Sequence, residues 1–319
     1  MKSKNIYIYV LILLIILLST LSYFYLDAIK TNFVVEGFSL HVEEIGNLLC
    51  KYFTTMAISF YDGTDFVDTV FNDPNHPLYD YIPHRIPLDK TIRSKLLKSI
   101  TPEFIDPLRD NSYSNWAVIN KTTEHFWLIL KPKIREILSN MFKKIGINTN
   151  PRPHPIIHFR CSDVPFEKNN HYPLQKFQYY YDSIKEIKSK GINVDEIMIL
   201  YNNTHRSNDK NGATCNTYVE MLREYIRQNL NIHTKVYSRS SLEDFADIFY
   251  APAVISTSGS FSFMSGFFGD GYFIAPCVID ENLDVENISW LKTKYMIHHN
   301  IVNDFYDIDE IRQHFYSNV

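Results

Sequence analysis

The sequence predicts an α/β protein with two Rossmann-type domains facing a cleft, preceded by one N-terminal transmembrane helix. Three observations carry this expectation. From Ile156 onward, strand-like and helix-like runs alternate strictly, the pattern of a parallel sheet covered on both faces. Near Phe33 a short apolar run, a glycine turn and a helical pattern follow one another, as at the start of a Rossmann half. Between the two lies Thr149-Asn150-Pro151-Arg152-Pro153-His154-Pro155, whose alternate prolines fit neither a helix nor a central strand.

Composition bounds what the chain can be. Its 319 residues allow one large domain or two of ordinary size. With 45% hydrophobic and 21% charged residues it is globular, which excludes wholesale disorder. A formal charge of −4 argues against nucleic acid as a partner. The 22 Tyr and 22 Phe read first as core material, and sugar or base stacking is their less common use. Cys50, Cys161, Cys215 and Cys277 contain no C-x-x-C pair, which excludes a zinc ribbon or thioredoxin-type site. Two disulfides and four buried thiols are both compatible with that count.

Residues 1–5 read as a cytosolic tail and 6–26 as a signal anchor. Ile6 to Leu26 carries no charge, and at 1.5 Å per residue it spans about 30 Å, the thickness of a bilayer core. Lys2 and Lys4 precede it, while Asp27 and Lys30 follow and cancel. The positive-inside rule then predicts a single-pass type II membrane protein whose bulk faces the ER or Golgi lumen. A cleaved signal peptide, giving a luminal or secreted protein, is the alternative. Asn120, Asn202 and Asn287 stand in N-x-S/T triplets, which suit either case.

The first half, 31–150, opens with a predicted strand at Asn32 to Val35 and a turn at Glu36-Gly37-Phe38-Ser39. Ser39 suits an N-cap, and Leu40, Ile45, Leu48, Leu49 and Phe53 recur at helical spacing. Ala57 to Tyr61 reads as the next strand. Residues 72–115 are rich in Pro, Asp and Asn, with a helix predicted over Leu88 to Ile105 and another over Phe126 to Ile147. In the second half, 156–300, strands are predicted at Ile156–Arg160, Glu196–Tyr201, Thr234–Tyr237, Ala253–Thr257 and Tyr272–Val278. Helices fall between them at Pro173–Lys190, Thr214–Asn229, Leu242–Tyr250 and Phe261–Phe268. Residues 301–319 end in a predicted helix, Glu310 to Tyr316. Two Rossmann-like halves joined by a linker make a GT-B-like layout, in which a nucleotide-sugar donor sits between the halves.

Two segments carry candidate chemistry. His158-Phe159-Arg160-Cys161-Ser162-Asp163 follows a strand, at the carboxyl edge of a parallel sheet where ligands bind. A strand-end Arg can grip a diphosphate and offset charge as it leaves. A neighbouring His can bond a base or phosphate, and the Asp can hold the Arg; an ordinary surface turn is the plain alternative. The second segment runs from Asp244 through Ser258-Gly259-Ser260-Phe261-Ser262 to Met264 as helix, strand, Ser/Gly turn, helix. Small residues at such a turn offer backbone N–H groups and hydroxyls to a phosphate. An N-cap over a Phe-rich core would have the same sequence.

Together these segments resemble the GDP-fucose-dependent fucosyltransferases, which include the α(1,2)- and α(1,6)-fucosyltransferases and the protein O-fucosyltransferases. His158, Arg160 and Asp163 match that superfamily's H-x-R-R-x-D motif, with Cys161 in place of the second Arg. Asp244, Phe245, Ile255, Ser260, Phe261 and Ser262 fall without a gap on a run similar to that of the α(1,2)-type enzymes, D-F-x-x-M-x-x-C-x-x-x-I-I-x-N-S-S-F-S-W-W. Tyr180-Tyr181-x-x-Ile184 resembles their Y-Y-x-x-A-I helix. Glu36-Gly37-Phe38-Ser39-Leu40 resembles an E-G-F-N-L turn of some protein O-fucosyltransferases, in which the Glu is the catalytic base. The likeness covers residues 156–278 and the 33–45 turn.

The resemblance implies an inverting transferase that moves fucose from GDP-fucose to a hydroxyl of a glycan or protein acceptor, with no divalent metal. It implies Arg160 on the β-phosphate and Glu36 as base. It places His158 and Asp244 at the nucleoside, Ser260, Phe261 and Ser262 at the diphosphate, and Asp163, Gly37 and Phe38 among the donor contacts. The one D-x-D triplet, Asp307-Ile308-Asp309, reads as acidic residues of a first helical turn. The chain has no H-E-x-x-H, G-x-S-x-G, Walker loop or G-x-G-x-x-G. A GT-B transferase using another nucleotide sugar and an inactive glycan-binding module share the same layout.

Overall fold

The computed structural model describes residues 45–110, 121–160, 174–202, 209–257, 259–276, 288–291 and 296–297. By their contacts, Val42–Val319 form one unit and Met1–His41 another. The described part begins with α1 (Ile45–Asp62), an antiparallel two-strand ribbon β1 (Phe66–Val67) and β2 (Arg85–Ile86), α2 (Lys90–Ser99), α3 (Pro102–Asp110) and α4 (Lys121–Ile145). Then come β3 (Ile156–Arg160), β4 (Leu174–Gln175), α5 (Phe177–Ser189), β5 (Glu196–Asn202), α6 (Asp209–Leu230), β6 (His233–Tyr237) and α7 (Ser241–Phe249). The chain continues with β7 (Ala253–Ser256), α8 (Ser260–Ser262) running into a π-helical turn (Phe263–Phe267), β8 (Tyr272–Pro276), β9 (Ile288–Leu291) and β10 (Met296–Ile297).

Six of these strands form one parallel sheet in the order β6-β5-β3-β7-β8-β9. Numbered by appearance this is 3-2-1-4-5-6, the doubly wound order, whose direction reverses between β3 and β7. β3 is buried from Ile156 to Phe159 because it lies in mid-sheet, and only its last residue, Arg160, is half-buried. Ile157 and Phe159 point into the cluster under α5 and α6, with Phe159 stacked on Tyr218 at 4.5 Å. Side chains alternate along a strand, so His158 and Arg160 leave by the opposite face. That face is covered by helices of the first half and by the π-helical turn. Trp127 of α4 meets Phe263 and Phe268 edge-on at 5.9 and 5.6 Å, and Phe142 meets Phe249 at 5.5 Å.

Four expectations are corrected. Ala57 to Tyr61 is not a strand but the last turns of α1, because Leu49, Phe53, Met56 and Phe60, all fully buried, continue one helical face. The helix expected over Leu88 to Ile105 is two: α2 starts on Asp89, whose carboxylate accepts from the N–H of Thr91 and Ile92 at 2.9 Å, and Pro102 starts α3. The fold of two Rossmann domains gives way to one parallel sheet. Among the described residues, the first half contributes helices and a two-strand antiparallel ribbon. Finally, no helix among the described residues is long and apolar enough to cross a membrane. The fold class is therefore α/β with a parallel sheet flanked by helices, and the type II, lumen-facing membrane topology is corrected with it. The 6–26 segment lies outside the described residues, as do the expected elements at 32–35 and 310–316.

The second-half elements otherwise fall where alternation puts them. β4 and α5 together replace the single helix expected from Pro173, and β9 and β10 had no expectation. Cys50 is a buried free thiol, its ionisation opposed by burial, and Cys215 is disulfide-bonded. A free Cys50 excludes two disulfides, and the bonded Cys215 excludes four thiols, so both alternatives are corrected.

Candidate active site at the sheet reversal

β3 and β7 run side by side with His158 opposite Ser256, so their carboxyl ends meet at the point where strand order reverses. A doubly wound sheet opens a crevice at such a point, because successive connections depart to opposite faces. Thr257 ties the two ends together. Its hydroxyl donates to the His158 carbonyl at 3.2 Å, and the Arg160 N–H donates to the same hydroxyl oxygen at 3.1 Å.

The chain then turns at Gly259, with φ 102° and ψ 150°, a combination essentially reserved for glycine. A Cβ there would lie 3.4 Å from a guanidinium nitrogen of Arg160, so the Arg160 side chain runs along the bare face of this glycine. Phe261 stacks on the His158 imidazole at 5.3 Å and 25°, and Phe245 of α7 meets Phe261 edge-on at 5.2 Å. His158, Arg160, Gly259 and Phe261 thus form one cluster, assembled from segments about a hundred residues apart.

The hydroxyls around this turn are committed. Ser262 is fully buried and shares a 2.7 Å hydrogen bond with Ser256. Tyr179 donates to the Ser256 carbonyl at 2.6 Å, fixing the end of β7 from the α5 side. Ser260 donates to Oδ1 of Asn47 at 2.5 Å. Beside it, a Cβ on Gly46 would come within 2.5 Å of the Phe261 nitrogen, so α1 touches the turn backbone to backbone. Sequence reasoning missed Gly46, Asn47 and Thr257. The available signal was Gly46 itself: glycine inside an apolar helix costs about 1 kcal/mol against alanine, which suggests a close approach.

Two of the sequence-predicted site residues have shifted protonation equilibria. His158 is 7% exposed, and desolvation, followed by the nearby Arg160 charge, pushes its pKa down to about 3. The ring is neutral at ordinary pH, and its buried Nδ1 has no hydrogen-bond partner among the described residues. Asp244 lies on the first turn of α7, where Ser240 and Glu243 form a capping box. Its carboxylate accepts from Ser238 Oγ at 3.1 Å and from the Arg239 N–H at 2.9 Å, closing the loop after β6. Burial nevertheless raises its pKa to about 6.

These shifts act on stability with opposite signs. The unfolded chain binds a proton at His158 more readily, so stability is lost as pH falls below about 6.5. The folded chain binds a proton at Asp244 more readily, so that contribution is lost as pH rises from about 4 through about 6. Asp244→Asn should therefore be more stable than the parent at pH 7.5, by on the order of 1 kcal/mol, with the difference closing toward pH 4. Urea melts across that range check it; an unchanged difference at both ends contradicts the assignment.

Asp163, Glu36, Gly37 and Phe38 lie outside the described residues, as do Cys161, Ser258 and the Asp307–Asp309 triplet. Among the described residues no group of His, Cys, Asp or Glu side chains is arranged to hold a metal ion. Two grooves lined by described residues lie away from this edge, one on α6 and β6 and one between the Tyr81–Pro87 segment and α4.

Fold and site together define an α/β protein built on one doubly wound parallel sheet flanked by helices. No family model matches the chain, and a search of curated proteins returns no match. Among solved structures it is similar to two crystal structures of POFUT1 in complex with GDP, a high-resolution one and crystal form III. Each has 12% identity and a TM-score of 0.24. The first alignment covers 44% of this chain and 46% of that one, the second 46% and 49%. The chain thus spans about half the length of the structures it matches. The likeness to a fucosyltransferase fold is weak and partial, and it carries no argument about activity.

Proposed function

We propose that the protein is an inverting glycosyltransferase that binds a nucleotide-diphosphate sugar at the β3–β7 reversal, with GDP-fucose as the donor. The observation that carries this reading is the juxtaposition of the strand-end Arg160 with the Gly259 turn at the sheet's switch point. The supporting chemistry is general. A guanidinium offers planar, permanently charged donors to a diphosphate, and a Cβ-free residue lets a ligand or side chain approach the backbone closely. The choice of fucose rests on the motif resemblance of His158, Arg160 and the 244–262 run.

In this reading an acceptor hydroxyl oxygen attacks the anomeric carbon as the bond from that carbon to the β-phosphate oxygen breaks. The electron pair leaves with GDP, and Arg160 meets the charge that develops there. The hydroxyl proton passes to a carboxylate base, for which the resemblance offers Glu36. His158 and Asp244 take the nucleoside, and Phe261 fixes the His158 ring from behind. The acceptor is a glycan or protein hydroxyl.

Thermal unfolding of the full chain with GDP, UDP and CMP tests this reading. A ligand at a hundred times its dissociation constant adds about 2.7 kcal/mol. Stabilisation by GDP alone, followed by turnover of GDP-fucose, is expected. Stabilisation by UDP or CMP instead would keep a transferase and discard fucose. No shift with any of the three would favour an inactive glycan-binding module.

A further inference from the structure

Between the Tyr81–Pro87 segment and α4 lies an open groove of about 400 Å³, within the range of small-ligand sites. Its lining sets four cations, Arg85, Lys133, Lys143 and Lys144, against one carboxylate, Glu136. That is a local reversal of sign in a chain whose formal charge is −4. Arg85 pairs with Asp65 at 3.1 Å and Lys133 with Glu136 at 2.9 Å. Lys143 and Lys144, both exposed on the last turn of α4, have no carboxylate partner among the described residues.

The irregular wall of the groove is held in place. Tyr52 of α1 donates to the Pro83 carbonyl at 2.5 Å. His84 bonds the Asp68 carboxylate through Nδ1 at 2.9 Å and the Tyr79 carbonyl through Nε2 at 2.7 Å, and the Asp68 N–H donates to the His84 carbonyl at 2.8 Å. A loop fixed at so many points keeps its shape without a ligand, which lowers the entropy cost of binding one. The half-buried Tyr81 and Pro83 offer apolar faces, and across from them the exposed Asn140 offers an amide.

We propose that this groove binds an anionic saccharide, one bearing sulfate or carboxylate groups. The lysines take the anions, the Tyr81 and Pro83 faces take the apolar side of a sugar ring, and Asn140 takes a hydroxyl. The preference for a saccharide over an acidic peptide rests on the transferase reading, whereas the cationic, pre-shaped groove does not.

The full chain is titrated with a size-defined heparin tetrasaccharide, with neutral cellotetraose and with hexaglutamate, each at low and high salt. The tetrasaccharide should bind, weaken as salt screens the lysines, and lose about tenfold or more in K143E/K144E. Both positions are exposed, so the variant should fold, and an unchanged melting temperature confirms that it does. An unaffected double variant, no binding, or hexaglutamate binding as tightly as the tetrasaccharide would each overturn the proposal. GDP stabilisation, read on the same samples, should be equal in parent and variant. A parent that binds the tetrasaccharide through these lysines but not GDP would therefore refute the donor site alone.

Discussion

Arg160→Ala should lower kcat/KM by at least about 10²-fold, the usual cost of removing one preorganised donor from developing oxyanion charge. The fold should survive. Arg160 is the half-buried last residue of β3, and the backbone N–H that ties it to Thr257 is kept in the variant. GDP-induced stabilisation should fall with activity, since on the proposed reading the same guanidinium meets the diphosphate in ground and transition states. Arg160→Lys separates charge from geometry: an ammonium restores charge without the planar fork, so partial rescue of binding with little rescue of turnover is expected. Full turnover in the alanine variant would remove Arg160 from the chemistry.

Gly46→Ala should destabilise the protein by about 1–3 kcal/mol, the usual cost of forcing a methyl into a full interior. The sign is informative. In an open helix the same change would stabilise by about 1 kcal/mol through helix propensity. Here the added carbon would meet the Phe261 nitrogen at 2.5 Å and the Ser260 carbonyl carbon at 2.6 Å, backbone atoms that cannot rotate aside. Either α1 moves out or the 259–262 turn moves in, and each disturbs the Ser260–Asn47 bond and the stacking of Phe261 on His158. Chemical denaturation checks the stability, and nucleotide-induced shifts check the turn. A stabilised Gly46→Ala would mean that α1 does not rest on the site.

How far the sequence disclosed this follows from which forces set each element. The sheet half was legible because each buried strand, such as Ala253–Ser256, is a short apolar run closed by turn residues, and each helix between them shows one apolar face. His158 and Arg160 could be named because they end a predicted strand, and Phe261 because it opens the helix expected after the Ser/Gly turn. Their meeting follows from strand order, which local pattern does not encode. The first half misled because Ala57-Ile58-Ser59-Phe60-Tyr61 has strand-like composition, and the packing of Phe53, Met56 and Phe60 on one face overrides it. Gly46 and Asn47 escaped because their purpose lies in contact with residues more than two hundred positions later. Ser262 reads as a phosphate donor by type, and its environment, a fully buried hydroxyl sharing a hydrogen bond with Ser256, is set by the fold rather than by local pattern.

The central claim is that nucleotide binds at the reversal between β3 and β7, and amide hydrogen exchange of the full chain with and without GDP tests it most directly. Binding there should slow exchange in peptides covering Ile156–Arg160 and Gly259–Phe263, and leave the Tyr81–Pro87 segment and the end of α4 unchanged. Protection confined to that distant segment, or absent from both β3 and the Gly259 turn at saturating GDP, would contradict it.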